Sequence, residues 1–454
     1  MRNRSRRRRR ASEPPIIASV ALNDLTYDDR VTRVAHTLAS NGAEVTVLGL
    51  TSQEEGWERN TGDVRVRVIG VTDRRSRLAT RVTLTVTGPV ARLSNLVRRG
   101  RPGPVRRRVL GALSVALQAL EGRLTRLRER APQRRAWLAR AGLSRELARL
   151  RPAAIHANDP DGLGVAVGAR RAVKAHDPLI VYDAHEWAAG RDAYRAPPPG
   201  LPSELELEQE LIGQANAVVT VSGRIAKSLE TQYRLSAAPR IVHNTPLETW
   251  GEIEAAPLRE LAAVPADCPL LVYVGKIAPI RGVLDVIAAM PLLPQVLRFA
   301  LLGMGSSMHE RQVRETAARH RVADRVHLVD PVPPEQIVST IRDATLGLMP
   351  FRWTPNHDRT IPNKLFQYLH AGLPMVVSDC AAIAEFVRLH RVGEVFTPED
   401  PASLADAIRR ALGGIDELRA RAGDSELRRR FSWETQEGEL LSLYRSLGVL
   451  GPEE

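Results

Sequence analysis

Only four of the 65 basic residues in this 454-residue chain are lysines, at positions 174, 227, 276 and 364, and two of them sit where an anion could be held. Lys364 lies in "RTIPNKLFQYLHAGLPMVVSD", residues 359–379. Pro362 fits a first helical position, Gly372 the left-handed position past the helix end, and Pro374 forbids continuation. A helix of about two to three turns is expected here, feeding the strand "MVVS". Its start would gather unpaired backbone N–H groups, the positive end of a dipole and the Lys364 ammonium, a combination that suits phosphate. The plainer alternative is an ordinary helix with a solvated lysine. Lys276 follows the apolar run "LLVYVG", with Gly275 before it and Arg281 five residues on. An ammonium and a guanidinium fork reaching one loop from two sides can clamp a diphosphate; two unconnected surface cations would look the same in isolation.

Other chemistries find less support. "GLGVAVG" (162–168) and "GMG" (303–305) both miss the full dinucleotide-binding glycine pattern. Asp159 and Asp161 have no His or Cys nearby to complete a cation site, so no metal and no cofactor are expected. Neither a G-x-S-x-G turn nor an H-E-x-x-H helix occurs. His185 and Glu186 end the run "LIVYDA", and Asn158 and Asp159 end "AAIHA", where a cleft would collect polar groups.

These residues must be positioned by short apolar strands that alternate with helical patterns along the whole chain. In the first half the strands are "PIIASVA", "AEVTVLGL", "VRVRVIG", "AAIHA", "LIVYDA", "NAVVTVS" and "RIVHN", with a helix over 28–41 stopped by Gly42. After a weakly patterned stretch at 246–267 the alternation restarts with "PLLVYVG", "RFALLG", "RVHLVD", "TLGLMP" and "LPMVVSD". Two such blocks imply an α/β protein of two doubly wound domains with parallel sheets, whose ligands bind at the strands' carboxyl ends.

The net charge of +13 is unevenly spread. Residues 1–10 hold seven arginines and no acid, and 74–151 hold twenty-one arginines against Glu121, Glu129 and Glu146, so the rest of the chain is acidic. That argues against a specific nucleic-acid binder. Inside the basic block Leu110, Leu113, Leu117, Leu120, Leu124 and Leu127 keep an amphipathic helical spacing with arginines at both ends. Such a helix can lie on an anionic membrane surface, or else pack on the protein with its arginines solvated. Two cysteines and the absence of an apolar run of about 18 residues imply a cytoplasmic protein, at most peripheral on the inner face of the membrane.

In order and spacing, "YVGKIAPIRGVLDVIAAM", "ALLGMGSS", "PNKLFQYLHAGLPMVVSD" and "FSWETQEGELLSLY" resemble the nucleotide-binding half of retaining GT-B glycosyltransferases, in particular glycosyltransferase family 4. "YDDRVTRVAHTLASNGAEVTVL", "IHANDPDGLGVAV", "VYDAHEW" and "AVVTVSGRIAKSL" are similar to the acceptor half of bacterial members. The resemblance covers residues 15–73 and 152–448 and leaves the basic block unmatched.

The resemblance implies GT-B architecture: two Rossmann-like domains facing a cleft. Residues 1–13 would be a disordered tail, 14–245 an acceptor-binding domain carrying a basic helical insertion at 74–151, and 246–267 a linker. Residues 268–430 would bind the nucleotide sugar, and a last helix in 431–454 would be able to cross back to the first domain. Lys276 and Arg281 would hold the diphosphate of a UDP- or GDP-linked sugar and stabilise its growing charge, without a metal. Gly275, Gly303, Gly305, Asp330, Thr360, Ile361, Pro362, Asn363 and Lys364 would complete the donor side. Many members place a Glu-x7-Glu pair on donor sugar and ribose; here those positions are Arg359 and Gln367, with Asp358 as the substitute carboxylate.

On the acceptor side, the resemblance implies Asp28, Arg30, Asn158, Asp159 and Glu186, with His185 positioning or deprotonating the acceptor hydroxyl. A buried structural His185 is the alternative, as are helix-dipole pairing by Asp28 and a solvated Arg30. The expected activity is retaining transfer of a hexose-like unit to a cell-envelope lipid, glycan or small acceptor. A sugar-nucleotide epimerase of the same fold, or a binding protein without catalysis, are the rivals.

Overall fold

The computed structural model describes residues 14–70, 131–191 and 202–452, apart from Tyr27, Ser52, Glu54, Lys174, Ala175 and Met304, with residues 131–136 described by backbone alone. The Arg-rich tail and the leucine stripe 110–127 lie outside the described residues.

The apolar runs of the first half become β1 (Ile16–Val20), β2 (Glu44–Thr51), β3 (Trp57–Thr61), β4 (Val64–Gly70), β5 (Ala154–Asn158), β6 (Leu179–Ala184), β7 (Ala217–Thr220) and β8 (Arg240–Ile241). They form one sheet in the order β3-β4-β2-β1-β5-β6-β7-β8. The second half contributes β9 (Leu270–Val274), β10 (Arg298–Leu302), β11 (Val326–Val329), β12 (Leu346–Met349), β13 (Met375–Ser378) and β14 (Gly393–Phe396), ordered β11-β10-β9-β12-β13-β14. In both sheets the strand order reverses beside the first central strand, between β1 and β5 and between β9 and β12. That reversal opens a crevice at the strands' carboxyl ends. Central strands such as β9 are buried throughout, as helices on both faces of a parallel sheet require.

The structure corrects the sequence reading in several places. β3 pairs antiparallel with β4 through a turn at Gly62–Asp63, so the first sheet is not wholly parallel. Its residues "WERNT" show no apolar alternation because the strand is an edge with exposed side chains. β14 also went unpredicted, and "RIVHN" keeps only two strand residues. The end of the supposed basic insertion is ordinary domain: in the helix Ala131–Leu150, Leu143 and Leu147 are fully buried against Ile155 and Leu163, because one face keeps an i, i+4 apolar stripe among the arginines. The supposed linker is shorter than 246–267, since Leu258, Ala262 and Val264 join the second domain's core. Pro362 precedes the helix Asn363–His370 as its cap instead of occupying its first turn.

The last helix, Trp433–Ser446, packs on the first domain. Trp433 Nε1 donates to Thr37 Oγ1 at 2.9 Å, and Leu440 and Tyr444 are fully buried in that domain's core. No helix among the described residues is long and apolar enough to cross a membrane.

Candidate active site

A pocket of about 700 Å³ opens at the carboxyl ends of β9 and β10. Gly275 (φ 111°) and Gly303 (φ 156°) let the two strand-end loops meet: a Cβ on Gly303 would lie 2.1 Å from the Gly275 carbonyl oxygen. Lys276, Arg281, Gly305, Pro362, Asn363, Lys364 and Gln367 line the same space, so nine residues separated by up to 92 positions in sequence converge there. Asn363 opens the helix whose free amides face this end, the setting that favours an anion.

Lys364 is buried, and its Nζ stands 3.8 Å from the Tyr273 ring centroid and 5.2 Å from that of Phe351. Burial, with Arg281 adding to it, pushes its ammonium well below the ordinary lysine range. Two aromatic faces are therefore its only cation-stabilising neighbours among the described residues. Arg281 lies 5.0 Å over the Phe351 ring, and its Nη1 approaches His357 Nε2 at 3.4 Å. His357 donates from Nδ1 to the Arg352 carbonyl and is stacked on Phe351. Burial drives its pKa down to about 4, so it is neutral and its Nε2 lone pair can hold the guanidinium.

The loop between β12 and the helix Asn363–His370 also touches the opposite domain. Asn356 accepts from the Trp187 amide at 2.9 Å and donates from Nδ2 to Glu186 at 3.2 Å. Ser222 Oγ donates to the Arg359 carbonyl at 2.6 Å. Gly190 permits this approach, since a Cβ there would come within 2.5 Å of the Asn356 nitrogen. Arg359 points away from the pocket: its guanidinium lies 4.2 Å over the Trp187 ring, with Nε donating to Ser228 and Nη1 to the Pro355 carbonyl. Asp358 spends its Oδ1 on the amide of Ala381, the first of the helix Ala381–His390. Both lie outside the pocket lining, Asp358 satisfying an orphan helix amide and Arg359 meeting an aromatic face. Asp330, Thr360 and Ile361 are likewise outside the pocket lining, which takes Pro331, Val332, Pro334 and Ile337 from the segment after β11 that Asp330 begins.

Across the cleft, Arg30 is 2% exposed and makes a paired contact to Asp183, at 2.8 and 2.9 Å, plus one to the Val242 carbonyl. It is therefore neither acceptor-lining nor solvated: a buried guanidinium needs its carboxylate. His156 bridges Asp183 (3.1 Å) and Tyr444 (2.9 Å). Burial opposes charge on Asp183, but Arg30 and the two histidines hold it well below the usual carboxylate range. His185 sits between Asp159, 3.6 Å from Nδ1, and Asp183, 3.4 Å from Nε2. Burial lowers its pKa, yet the two carboxylates outweigh burial and raise it to about 9. An imidazolium has no lone pair, so this setting suits positioning better than deprotonation. Asn158 is buried and donates to Ser19 and the Val20 carbonyl, while Asp28 caps the helix Asp29–Ser40 through Val31 N. Glu186 is ion-paired to Arg191 at 2.8 Å. Among the described residues no three His, Cys, Asp or Glu side chains are grouped to hold a metal ion.

Sequence reasoning missed Asp29 and His357, the first lining the pocket and the second touching Arg281.

Residues 268–413 match the model for "Glycosyl transferases group 1", and residues 94–245 match "Glycosyltransferase Family 4". A D-inositol 3-phosphate glycosyltransferase of Corynebacterium efficiens is 29% identical over 284 residues, 58% of this chain and 65% of that protein. The match thus spans just under two thirds of that relative's length. Sucrose-phosphate synthase from Thermosynechococcus elongatus has a similar fold, with TM-score 0.68, 16% identity, and coverage of 96% of this chain and 99% of that one. So does an Anabaena protein solved in complex with UDP-glucose, with TM-score 0.63, 13% identity, and coverage of 95% and 100%.

Proposed function

Since this chain belongs to the GT-B glycosyltransferases, with a family 4 half followed by a group 1 half, we propose that it transfers a sugar from a nucleoside diphosphate sugar to a hydroxyl acceptor bound by the first domain. The observation that carries this reading is the convergence of Lys276, Arg281 and Lys364 on one pocket with no carboxylate in ion-pair reach among the described residues. Cations left without counterions are costly unless a ligand supplies the charge, and a diphosphate does so. The similarity in fold to a protein crystallised with UDP-glucose favours a uridine nucleotide as the first candidate.

In this reading the diphosphate lies between Lys276, Arg281 and the amides at Asn363, with Lys364 beneath it. As the glycosidic bond breaks, negative charge grows on the diphosphate oxygens, where the fixed cations stabilise it more than in the ground state. Neutral His357 holds Arg281 against the Phe351 face and limits the reorganisation needed. From the first domain, the His185 imidazolium and Glu186 would orient the acceptor hydroxyl, whose proton leaves toward the diphosphate. Attack on the same face as the departing group would retain configuration, and the three cations would supply the charge stabilisation without a metal.

We extend the reading to a cell-envelope lipid, glycan or small acceptor at the inner face of the cell membrane, with the arginines of 74–130 as the attraction for anionic lipid. Liposome sedimentation of the full chain beside a variant with those arginines changed to glutamine tests that part; equal binding would remove it.

Calorimetry with UDP, GDP and ADP tests the donor site. One nucleotide should bind, and Lys276→Ala and Arg281→Ala should each weaken it by about 1.5–3 kcal/mol. A folded protein that binds none of the three would overturn the assignment. Binding without turnover on any acceptor would favour a non-catalytic protein, and acceptor-free turnover of the nucleotide sugar an epimerase.

A further inference from the structure

The donor pocket has one wall residue from the first domain, and among the described lining residues it is also the one acid: Asp29. It stands in the first turn of the helix Asp29–Ser40, but the capping work there belongs to its neighbour, since Asp28 accepts from Val31 N and from Asn23 Nδ2. No hydrogen bond or ion pair engages the Asp29 carboxylate among the described residues. Arg33, one turn further on, is turned elsewhere: its guanidinium lies 5.0 Å from the Trp250 ring centroid and 5.2 Å from that of Trp433, and it donates to Asn244. Burial accordingly raises the Asp29 carboxyl to about 6 in spite of Arg33, with Asp28 and Glu335 adding to the rise.

The pocket has two ends. Lys276, Arg281 and Lys364 form the cationic one, and Pro331, Val332, Pro334 and Ile337 the apolar one. Asp29 lines this pocket without forming an ion pair to any of the three cations among the described residues, so it stands apart from the cationic end. A nucleoside diphosphate with its phosphates on the cations brings its nucleoside to the apolar end. Away from the cations a carboxylate repels phosphate but accepts hydrogen bonds from paired N–H or O–H groups, which a guanine edge or the vicinal hydroxyls of a ribose both present.

We propose that Asp29 is a specificity-determining acceptor that reads the nucleoside of the donor from across the cleft. The proposal rests on the donor-site reading above and deepens it: nucleotide recognition becomes a property of both domains, and donor affinity depends on the first domain's position.

The test is calorimetry on the full chain and its Asp29→Asn and Asp29→Ala variants, with UDP, GDP, ADP, the 2′-deoxy analogue of whichever binds, and inorganic pyrophosphate. Thermal unfolding of each variant is measured alongside, and the near-isosteric Asn variant serves if Ala does not fold. The expected result is a loss of about 10- to 100-fold for the nucleotide, with pyrophosphate affinity unchanged or increased. If the 2′-deoxy analogue binds wild type and variants equally weakly, the partner is the ribose; if it still discriminates between them, the partner is the base. Nucleotide affinity that is unchanged or improved in both variants would reduce Asp29 to a first-turn acid and overturn the proposal. An equal loss for pyrophosphate would do the same, because Asp29 would then act through the cations. Wild-type protein that binds neither nucleotide nor pyrophosphate would remove the donor site itself, a result distinct from tight wild-type binding that Asp29 does not affect.

Discussion

In the second domain three cations converge on the pocket with aromatic rings and a neutral histidine for company, whereas in the first domain Arg30, His156, His185, Asp159 and Asp183 form a chain in which each charge meets an opposite one. The two walls of one cleft thus stand at opposite ends of electrostatic completeness. Like charges with no carboxylate in ion-pair reach among the described residues, one of them the buried Lys364, leave this wall open to an anion. A compensated chain adds rigidity and leaves little net charge for a ligand.

The contrast can be broken most sharply at Asp183. Changing Asp183→Asn strands a buried guanidinium, leaves His156 without its anion and His185 with Asp159 alone, so urea unfolding should report a loss of about 3–5 kcal/mol. Lys364→Met makes the opposite statement about the other wall. Removing a buried cation that lacks a counterion should raise stability by about 1–4 kcal/mol while nucleotide affinity falls by about 10- to 100-fold. A variant that lost both stability and binding would show that the lysine is not held at a cost.

His185 sharpens the comparison through pH. Its folded pKa of about 9 lies above the ordinary 6.5, so the stabilisation it draws from Asp159 and Asp183 is fully present below about pH 6.5 and disappears as pH rises through about 9. The stability gap between wild type and His185→Gln should therefore be widest at pH 6 and close by pH 10, and a gap that stays constant across that range would contradict the imidazolium. Arg359→Ala should cost about 0.5–1 kcal/mol and shift the fluorescence of Trp187, whose ring it covers. Smallest of all, Arg224→Ala breaks a cross-domain pair with Glu385 whose side chains are 40% and 62% exposed, and unfolding should move by less than about 1 kcal/mol.

How legible these features are in sequence depends on how local they are. Two doubly wound domains follow from strand and helix alternation, because period and length are carried by adjacent residues. Lys276, Arg281, Gly275 and Lys364 stand out because strand ends and helix starts can be recognised from glycine and proline nearby. Asp29 and His357 carry no such marker: one reaches the pocket from more than 240 positions away in sequence, the other acts through the orientation of a neighbour's ring and lone pair. Arg30 was misjudged for the same reason, since its partner lies 153 residues on and burial alone turns a surface-looking arginine into an internal one. β3 and β14 escaped because both are edge strands, one largely exposed and the other fully buried only at Phe396, which leaves too little apolar pattern.

The returning helix Trp433–Ser446 has a consequence for how the protein is made. Tyr444 closes the buried chain through His156, and Trp433 and Leu440 fill the first domain's core, so the opening half of the polypeptide leaves the ribosome without part of its own interior. That half can mature only after the second domain has been synthesised and the last helix has come back to it. A stop codon ahead of residue 433 would therefore damage the domain made first, although every residue of that domain up to its last strand would be present.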